Sequence, residues 1–166
     1  PDGSKIGFLK VSENIYDCTV VIHDVINKTN KEIPGCMDII TRERIFRSFD
    51  WLPDSEHVIF PSMVKVDNEE VYGFYTVNWH TEEKQLFKKN SNDSYIDSQP
   101  VLSKNGARLA YASFSPDRMV AVRVYDENGD RKASDIRFYS LTGMTWISDS
   151  ELIVAAKVTE YSQLFY

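Results

Sequence analysis

Four polar side chains recur at one place in a repeated pattern along this 166-residue sequence: Asp2, Asp54, Asn105 and Asp149, each in a short turn. Repeated carboxylates could bind a metal or share protons. In a turn they have a simpler task, because an Asp or Asn side chain accepts hydrogen bonds from the backbone amides just after it. Recurrence once per repeat favours that capping role. Asp126-Glu127-Asn128-Gly129-Asp130 opens like a calcium loop but has no bidentate Glu at the required distance, so a hairpin is expected there. His23, His57 and His80 lie 34 and 23 residues apart, no two at metal-ligand spacing, and read as structural or solvent-facing. Cys18 and Cys36 are also not at zinc spacing; they read as two free or half-buried thiols, with a disulfide open if they fall on neighbouring strands. The sequence has no Gly-x-Ser-x-Gly elbow, no phosphate-cradling glycine loop and no His-Glu-x-x-His motif. No catalytic residue, metal ligand or cofactor is therefore assigned.

The elements that must position these residues read as strands. Hydrophobic residues make up 42% of the chain and aromatics 13%, enough to build a core. Short β-branched and aromatic runs at 6–11, 19–25, 58–64, 71–79, 109–114, 119–125 and 152–158 are bounded by Asp, Asn, Gly, Ser and Pro. Val120, Val122 and Val124 alternate with Ala121, Arg123 and Tyr125, which predicts one buried and one wetter face. Leu152-Ile153-Val154-Ala155-Ala156 is apolar on both faces and is expected to be covered on both. Asn128-Gly129 predicts a type I′ hairpin turn, and Asp67-Asn68 sits likewise between two strands. Only 41–46 has any helical flavour. No apolar run approaches the roughly 18 residues of a membrane span. The net charge of −6 argues against nucleic acid and suits a protein or peptide partner of basic or mixed charge. The opening Pro1-Asp2-Gly3-Ser4 is turn chemistry without an initiator Met or signal peptide, so the chain is expected to be cut from something longer.

The repeat organises the strands. Pro1-Asp2-Gly3-Ser4-Lys5-Ile6-Gly7-Phe8, Pro53-Asp54-Ser55-Glu56-His57-Val58-Ile59-Phe60 and Lys104-Asn105-Gly106-Ala107-Arg108-Leu109-Ala110-Tyr111 share a turn followed by an apolar triplet ending in an aromatic. Ser148-Asp149-Ser150-Glu151-Leu152-Ile153-Val154 is a copy one residue shorter. The intervals are 52 residues from Asp2 to Asp54, 51 to Asn105 and 44 to Asp149, the period of four-stranded propeller blades. Ser115-Pro116-Asp117-Arg118 looks like the same turn but follows Asn105 too closely, and is read as a hairpin within one blade. The expected fold is all-β: a β-propeller of four-stranded antiparallel blades, about three and a half of them, forming a segment of a larger ring. The expected units are a partial blade at 1–40, blades at 41–92 and 93–140, and a partial blade at 141–166.

A Pro-Asp-Gly-type turn, entered from an aromatic-containing strand and followed by apolar-Ala-aromatic, resembles the WD-type repeats of TolB-like propellers. It is similar also to the propeller domains of the prolyl oligopeptidase family. The first resemblance implies a non-catalytic scaffold for protein–protein interaction in an extracytoplasmic compartment. The second implies a substrate-gating propeller whose serine-peptidase domain lies outside this chain. A Gly-x-Ser-x-Gly elbow downstream of Tyr166 would decide for the latter.

Recognition residues are sought where the repeat is broken. Trp51 and Trp146 occupy equivalent positions before repeat turns, so they are expected to pack between blades. Trp79 is not repeated and, with His80, is the candidate for an exposed interaction site. Lys88 and Lys89 join it from the polar stretch 82–94, read as a loop or outer-strand connection whose removal should leave folding intact.

Overall fold

The computed structural model describes residues 3–11, 17–37, 39–41, 44–46, 49–91, 96–117 and 119–158. Every element among them is a strand, including the stretch around 41–46, where β4 (Ile39–Thr41) and β5 (Arg44–Phe46) form a short hairpin. Sheet I comprises β1 (Lys5–Val11), β2 (Asp17–Asp24) and β3 (Thr29–Met37). Sheet II comprises β6 (Asp50–Trp51), β7 (His57–Val66), β8 (Glu69–Asn78) and β9 (Lys84–Lys89). Sheet III follows with β10 (Ile96–Leu102), β11 (Leu109–Phe114), β12 (Val120–Asp126) and β13 (Gly129–Lys132). Sheet IV holds β14 (Ser140–Trp146) and β15 (Leu152–Lys157). In each, sequence neighbours pair antiparallel, which short turns permit.

The sheets stack face to face with apolar layers between them. Cys18, Val20, Ile22 and Ile33 of sheet I meet Val58, Phe60, Val77 and Trp79 of sheet II. Ile59 and Phe74, on sheet II's other face, meet Leu102, Leu109 and Tyr111 of sheet III. Ala112, Phe114, Val120 and Val122 of sheet III meet Leu141 of sheet IV, with Met144, Leu152 and Val154 alongside. Each fully buried aliphatic or aromatic side chain contributes about 1.5–3 kcal/mol, so these layers hold the stack together. Successive sheets are in contact along the chain: β3 packs on β7, and β10 contacts β6, β7 and β8 on one side and β14 on the other. Antiparallel sheets of up to four strands, stacked face to face in chain order, are the blades of a propeller.

Alternation works as the sequence predicts in β12, where Val120, Val122 and Val124 are buried and Ala121, Arg123 and Tyr125 half-buried. It fails in β15. Leu152 and Val154 pack on sheet III, but Ile153 on the opposite face is 53% exposed, and no described strand covers that side. The cysteines differ from the sequence reading too. β2 and β3 pair with Cys36 directly opposite Cys18, and Cys18 is disulfide-bonded.

Two hairpins separate turn types that look alike in sequence. Asp67 and Asn68 both have positive φ, 51° and 68°, giving the type I′ turn between β7 and β8. At the Asn-Gly turn the ladder closes on Asp126 opposite Gly129, so Glu127 and Asn128 are the central pair. Only Gly129 has positive φ there, 99°, the arrangement of a turn followed by a glycine bulge rather than type I′. Ser115-Pro116-Asp117 does join β11 to β12 within one sheet, closed by the Ser115 amide donating to the Met119 carbonyl at 3.0 Å.

Candidate functional site

The repeat turns carry structural bonds. Asp54 Oδ1 accepts from the amides of Glu56 (2.8 Å) and His57 (3.0 Å), and Asn105 Oδ1 from that of Ala107 (2.9 Å), as capping predicts. In the shorter fourth turn Ser148 Oγ takes over, accepting from Ser150 and Glu151 at 3.2 and 3.1 Å. That frees Asp149 to accept from the Asn105 amide at 3.2 Å, one repeat back. Gly106 (φ +73°) lies so close to Pro53 that a Cβ would sit 2.9 Å from the proline ring, so successive turns also touch. Trp51 packs in the layer between sheets I and II, and the Trp146 indole donates to the Val101 carbonyl of sheet III at 2.9 Å. Both tryptophans pack between sheets, as their equivalent positions predict.

The four predicted interaction residues divide two and two. Trp79 is not exposed: only 8% of it is accessible, it belongs to the sheet I/sheet II layer, and its indole donates to the Ser55 carbonyl at 3.1 Å. Its place at the end of β8 turns it under the β7 turn rather than outward. His80 is exposed and stacks on Trp79, ring centroids 3.6 Å apart. Lys89 is exposed on β9.

Lys88 is 6% exposed and part of a buried ionic cluster. The cause is a bulge in the β8–β9 ladder. Tyr75 pairs with Leu86 but Phe74 with Lys88, so one extra residue flips Lys88 onto the face that Phe74 presents to sheet III. Gly73 lets β9 come in this close, since a Cβ there would run into the Lys88 carbonyl. Lys88 Nζ then meets Asp97 Oδ2 at 3.1 Å, Asp130 Oδ2 at 3.3 Å and Ser91 Oγ at 3.2 Å, and lies 4.5 Å from the centre of the Tyr111 ring. The Tyr111 hydroxyl donates to Asp130 Oδ1 at 2.7 Å, which also accepts from Arg123 Nε at 3.0 Å. Burial, and then the charge of Asp97, push the Tyr111 hydroxyl well above its ordinary value. Burial alone would raise Asp130, but the bonds from Tyr111 and Arg123 outweigh it and hold the carboxyl low. These groups span β9 to β13 and tie sheet II to sheet III. The stretch 84–89 is consequently a load-carrying strand, and removing 82–94 would take Lys88 and Ser91 with it.

A second arrangement lies between sheets III and IV. A cleft of about 390 Å³ opens beside Leu152 and Val154 of β15 and is floored by Val122, Val124, Phe138 and Trp146. Arg108, Arg131 and Lys132 stand at its wall. Arg131 forks onto both oxygens of Asp126 at 2.7 Å and lowers that carboxyl to about 2, while Arg108 stands 3.7 Å from the same group. The two aspartates of the Asp126–Asp130 hairpin thus serve different interfaces. Among the described residues no group of three or more His, Cys, Asp or Glu could hold a metal ion, and no helix is long and apolar enough to cross a membrane.

Neither a family model nor a curated protein matches the sequence. Solved structures do match the fold. TolB from Acinetobacter baumannii is similar at 13% identity and a TM-score of 0.58, over 86% of this chain and 33% of that one. The β-propeller domain of the trilobed protease from Pyrococcus furiosus is similar at 13% identity and a TM-score of 0.51, over 81% and 41%. Acylaminoacyl peptidase from Pyrococcus horikoshii is similar at 14% identity and a TM-score of 0.52, over 84% and 24%. This chain thus spans less than half of each of them, and its architecture is that of a β-propeller resembling TolB and the propeller domains of prolyl-oligopeptidase-family proteins.

Proposed function

We propose that this protein is a non-catalytic propeller scaffold that binds other proteins, with the turn between β8 and β9 as a contact point. The supporting observation is that this turn is exposed yet held rigid. His80, Thr81, Glu82 and Glu83 face solvent. Beneath them Trp79 is buried, and Asn78 Oδ1 accepts from the amides of His80 and Thr81 at 2.9 and 3.1 Å. Lys31 of sheet I donates to the His80 carbonyl at 2.6 Å and pairs with Glu82 at 3.1 Å. A surface already fixed in one shape loses little conformational freedom on binding. Its two glutamates, on a chain of net charge −6, favour a basic or mixed-charge partner. The Cys18 disulfide supports an oxidising, extracytoplasmic compartment, and the chain reads as a segment of a larger ring with units near 1–40, 41–92, 93–140 and 141–166.

The test is site-specific photo-crosslinking from His80 in the native extract. A discrete adduct that vanishes when Glu82 and Glu83 are both changed to Lys is expected, with Lys89 as a second crosslinking position. Crosslinking no stronger than from Lys104, in a different turn, refutes the contact point. The likeness to peptidase propellers supports a second reading, a gate over a serine-peptidase domain. Covalent labelling of the natural polypeptide by a fluorophosphonate would favour that reading over the scaffold.

A further inference from the structure

Asn78 ties the β8–β9 turn together. Its carbonyl accepts from the Glu82 amide at 2.8 Å, and its amide donates to the Glu83 carbonyl at 3.0 Å. Its side-chain oxygen takes the amides of His80 and Thr81 at 2.9 and 3.1 Å. Those two bonds fix which end of the side-chain amide is oxygen, because only that end can accept. The other end, Nδ2, stands 3.4 Å from Nε2 of His57, the residue opposite Asn78 in the β7–β8 ladder. On the far side of the ring, Nδ1 lies 2.7 Å from Asp54 Oδ2 in the β6–β7 repeat turn. A carboxylate only accepts and an amide NH2 only donates. The contacts therefore suit a neutral ring, with its proton on Nδ1 and a lone pair on Nε2.

A second proton on the ring sets N–H against N–H across that 3.4 Å gap. Asn78 relieves the conflict by turning its oxygen to the ring, and the amides of His80 and Thr81 then lose their acceptor. Burial would raise the Asp54 carboxyl, but the bonds from the Glu56 amide and from His57 outweigh it and hold it low. Asp54 thus stays charged through the range in which histidines titrate. It is the ionic partner of His57, and no other lies within 4 Å among the described residues. Sheet III, toward which His57 and Ile59 turn, brings Tyr125 to the shared layer, while its Arg108 is engaged by Asp126 and the Asp149 carbonyl. Asp50 of β6 accepts from Trp51 and Leu102, Lys84 of β9 donates to Ser62, and Lys31 of sheet I pairs with Glu82. Glu56 and Glu83 face solvent, and His80 is the turn's own histidine. We propose that His57 is a proton-sensitive latch on the β8–β9 turn: neutral, it leaves the Asn78 caps in place; protonated, it opposes Asn78 donor to donor and releases the turn from its fixed shape. The latch itself is local, and its consequence, weaker partner binding in acid, rests on the scaffold reading.

The experiment follows hydrogen exchange of the His80 and Thr81 amides in the full chain, each rate divided by that of an unstructured amide at the same pH. Between about pH 7.5 and pH 5.5 their protection should fall fivefold or more, as expected when a hydrogen bond is lost. His57→Gln gains no proton over that interval, so its protection should stay constant. Asn78→Asp keeps one oxygen for the caps and offers the other to a charged ring, so its protection should not fall either. Constant protection in the wild type overturns the latch. So does a fall that persists in His57→Gln, which would assign it to His80, or one undiminished in Asn78→Asp, where the donor conflict is absent. If the latch is seen while crosslinking from His80 finds no partner, the latch stands and the scaffold reading falls. If crosslinking succeeds while protection ignores pH, the scaffold reading stands and the latch falls.

Discussion

The two faces of sheet III meet their neighbours in opposite ways. Toward sheet II the contact mixes a packed apolar layer with buried charge: Lys88, Asp97, Asp130, Arg123 and Tyr111 lie in one bonded cluster. Toward sheet IV the layer is apolar, Phe114 and Phe138 included, without a buried charge cluster, and a cleft remains. Apolar contact is non-directional. A buried lysine with two carboxylate partners has few acceptable positions. The first face therefore constrains the register of its neighbour more tightly than the second.

The comparison is most severely tested at Lys88. Changing it to Ala leaves Asp97 buried without its cation and should cost about 3–5 kcal/mol in urea unfolding. A cost below about 1 kcal/mol would mean that the charge cluster does not pin the sheets. Trp146→Phe removes one indole bond from the sheet III/sheet IV contact and keeps most of its apolar surface. The expected loss is about 0.5–1.5 kcal/mol by the same measurement. The Asp126–Arg131 pair shows itself only in acid. Its folded carboxyl lies at about 2 against an ordinary value of 3.8, so its stabilisation is full above the ordinary value and is lost as pH falls through about 2. The stability difference between wild type and Asp126→Asn should therefore shrink between pH 5 and pH 2; a constant difference would remove the pair as its source. Lys132→Ala should change stability by no more than about 0.5 kcal/mol, since it holds nothing in place. A larger loss would make the cleft wall part of the structural interface.

What could be read from the sequence was what repeats. The strands, their turns and the propeller followed from the spacing of Asp54, Asn105 and Asp149, and the capping roles of the first two followed from residue chemistry. Lys88 could not be placed that way. In a Lys-Lys pair amid polar residues nothing marks the bulge, and a one-residue slip exchanges solvent for core. Trp79 reads as exposed because it is not repeated, although size and hydrophobicity favour burial at the end of a strand. The Asn-Gly turn differed because the ladder closed one residue earlier than the dipeptide suggests. The cleft has no sequence signal at all: its cations come from a turn and a strand more than 20 residues apart, and only folding brings Arg108 beside Arg131 and Lys132.

The bonds between successive inner strands also bear on how the chain is made. Leu102 donates its amide to Asp50, 52 residues earlier, while the Asn105 amide waits for Asp149, 44 residues later. During synthesis the Asp50 carboxylate emerges before its β10 partner, and the turn at Asn105 is completed only once Asp149, beyond β14, has been translated. Burial raises the Asp50 carboxyl, and the late Leu102 amide joins that of Trp51 in opposing the shift. A ribosome-bound chain should thus add structure one whole sheet at a time, each arriving sheet closing the one before it.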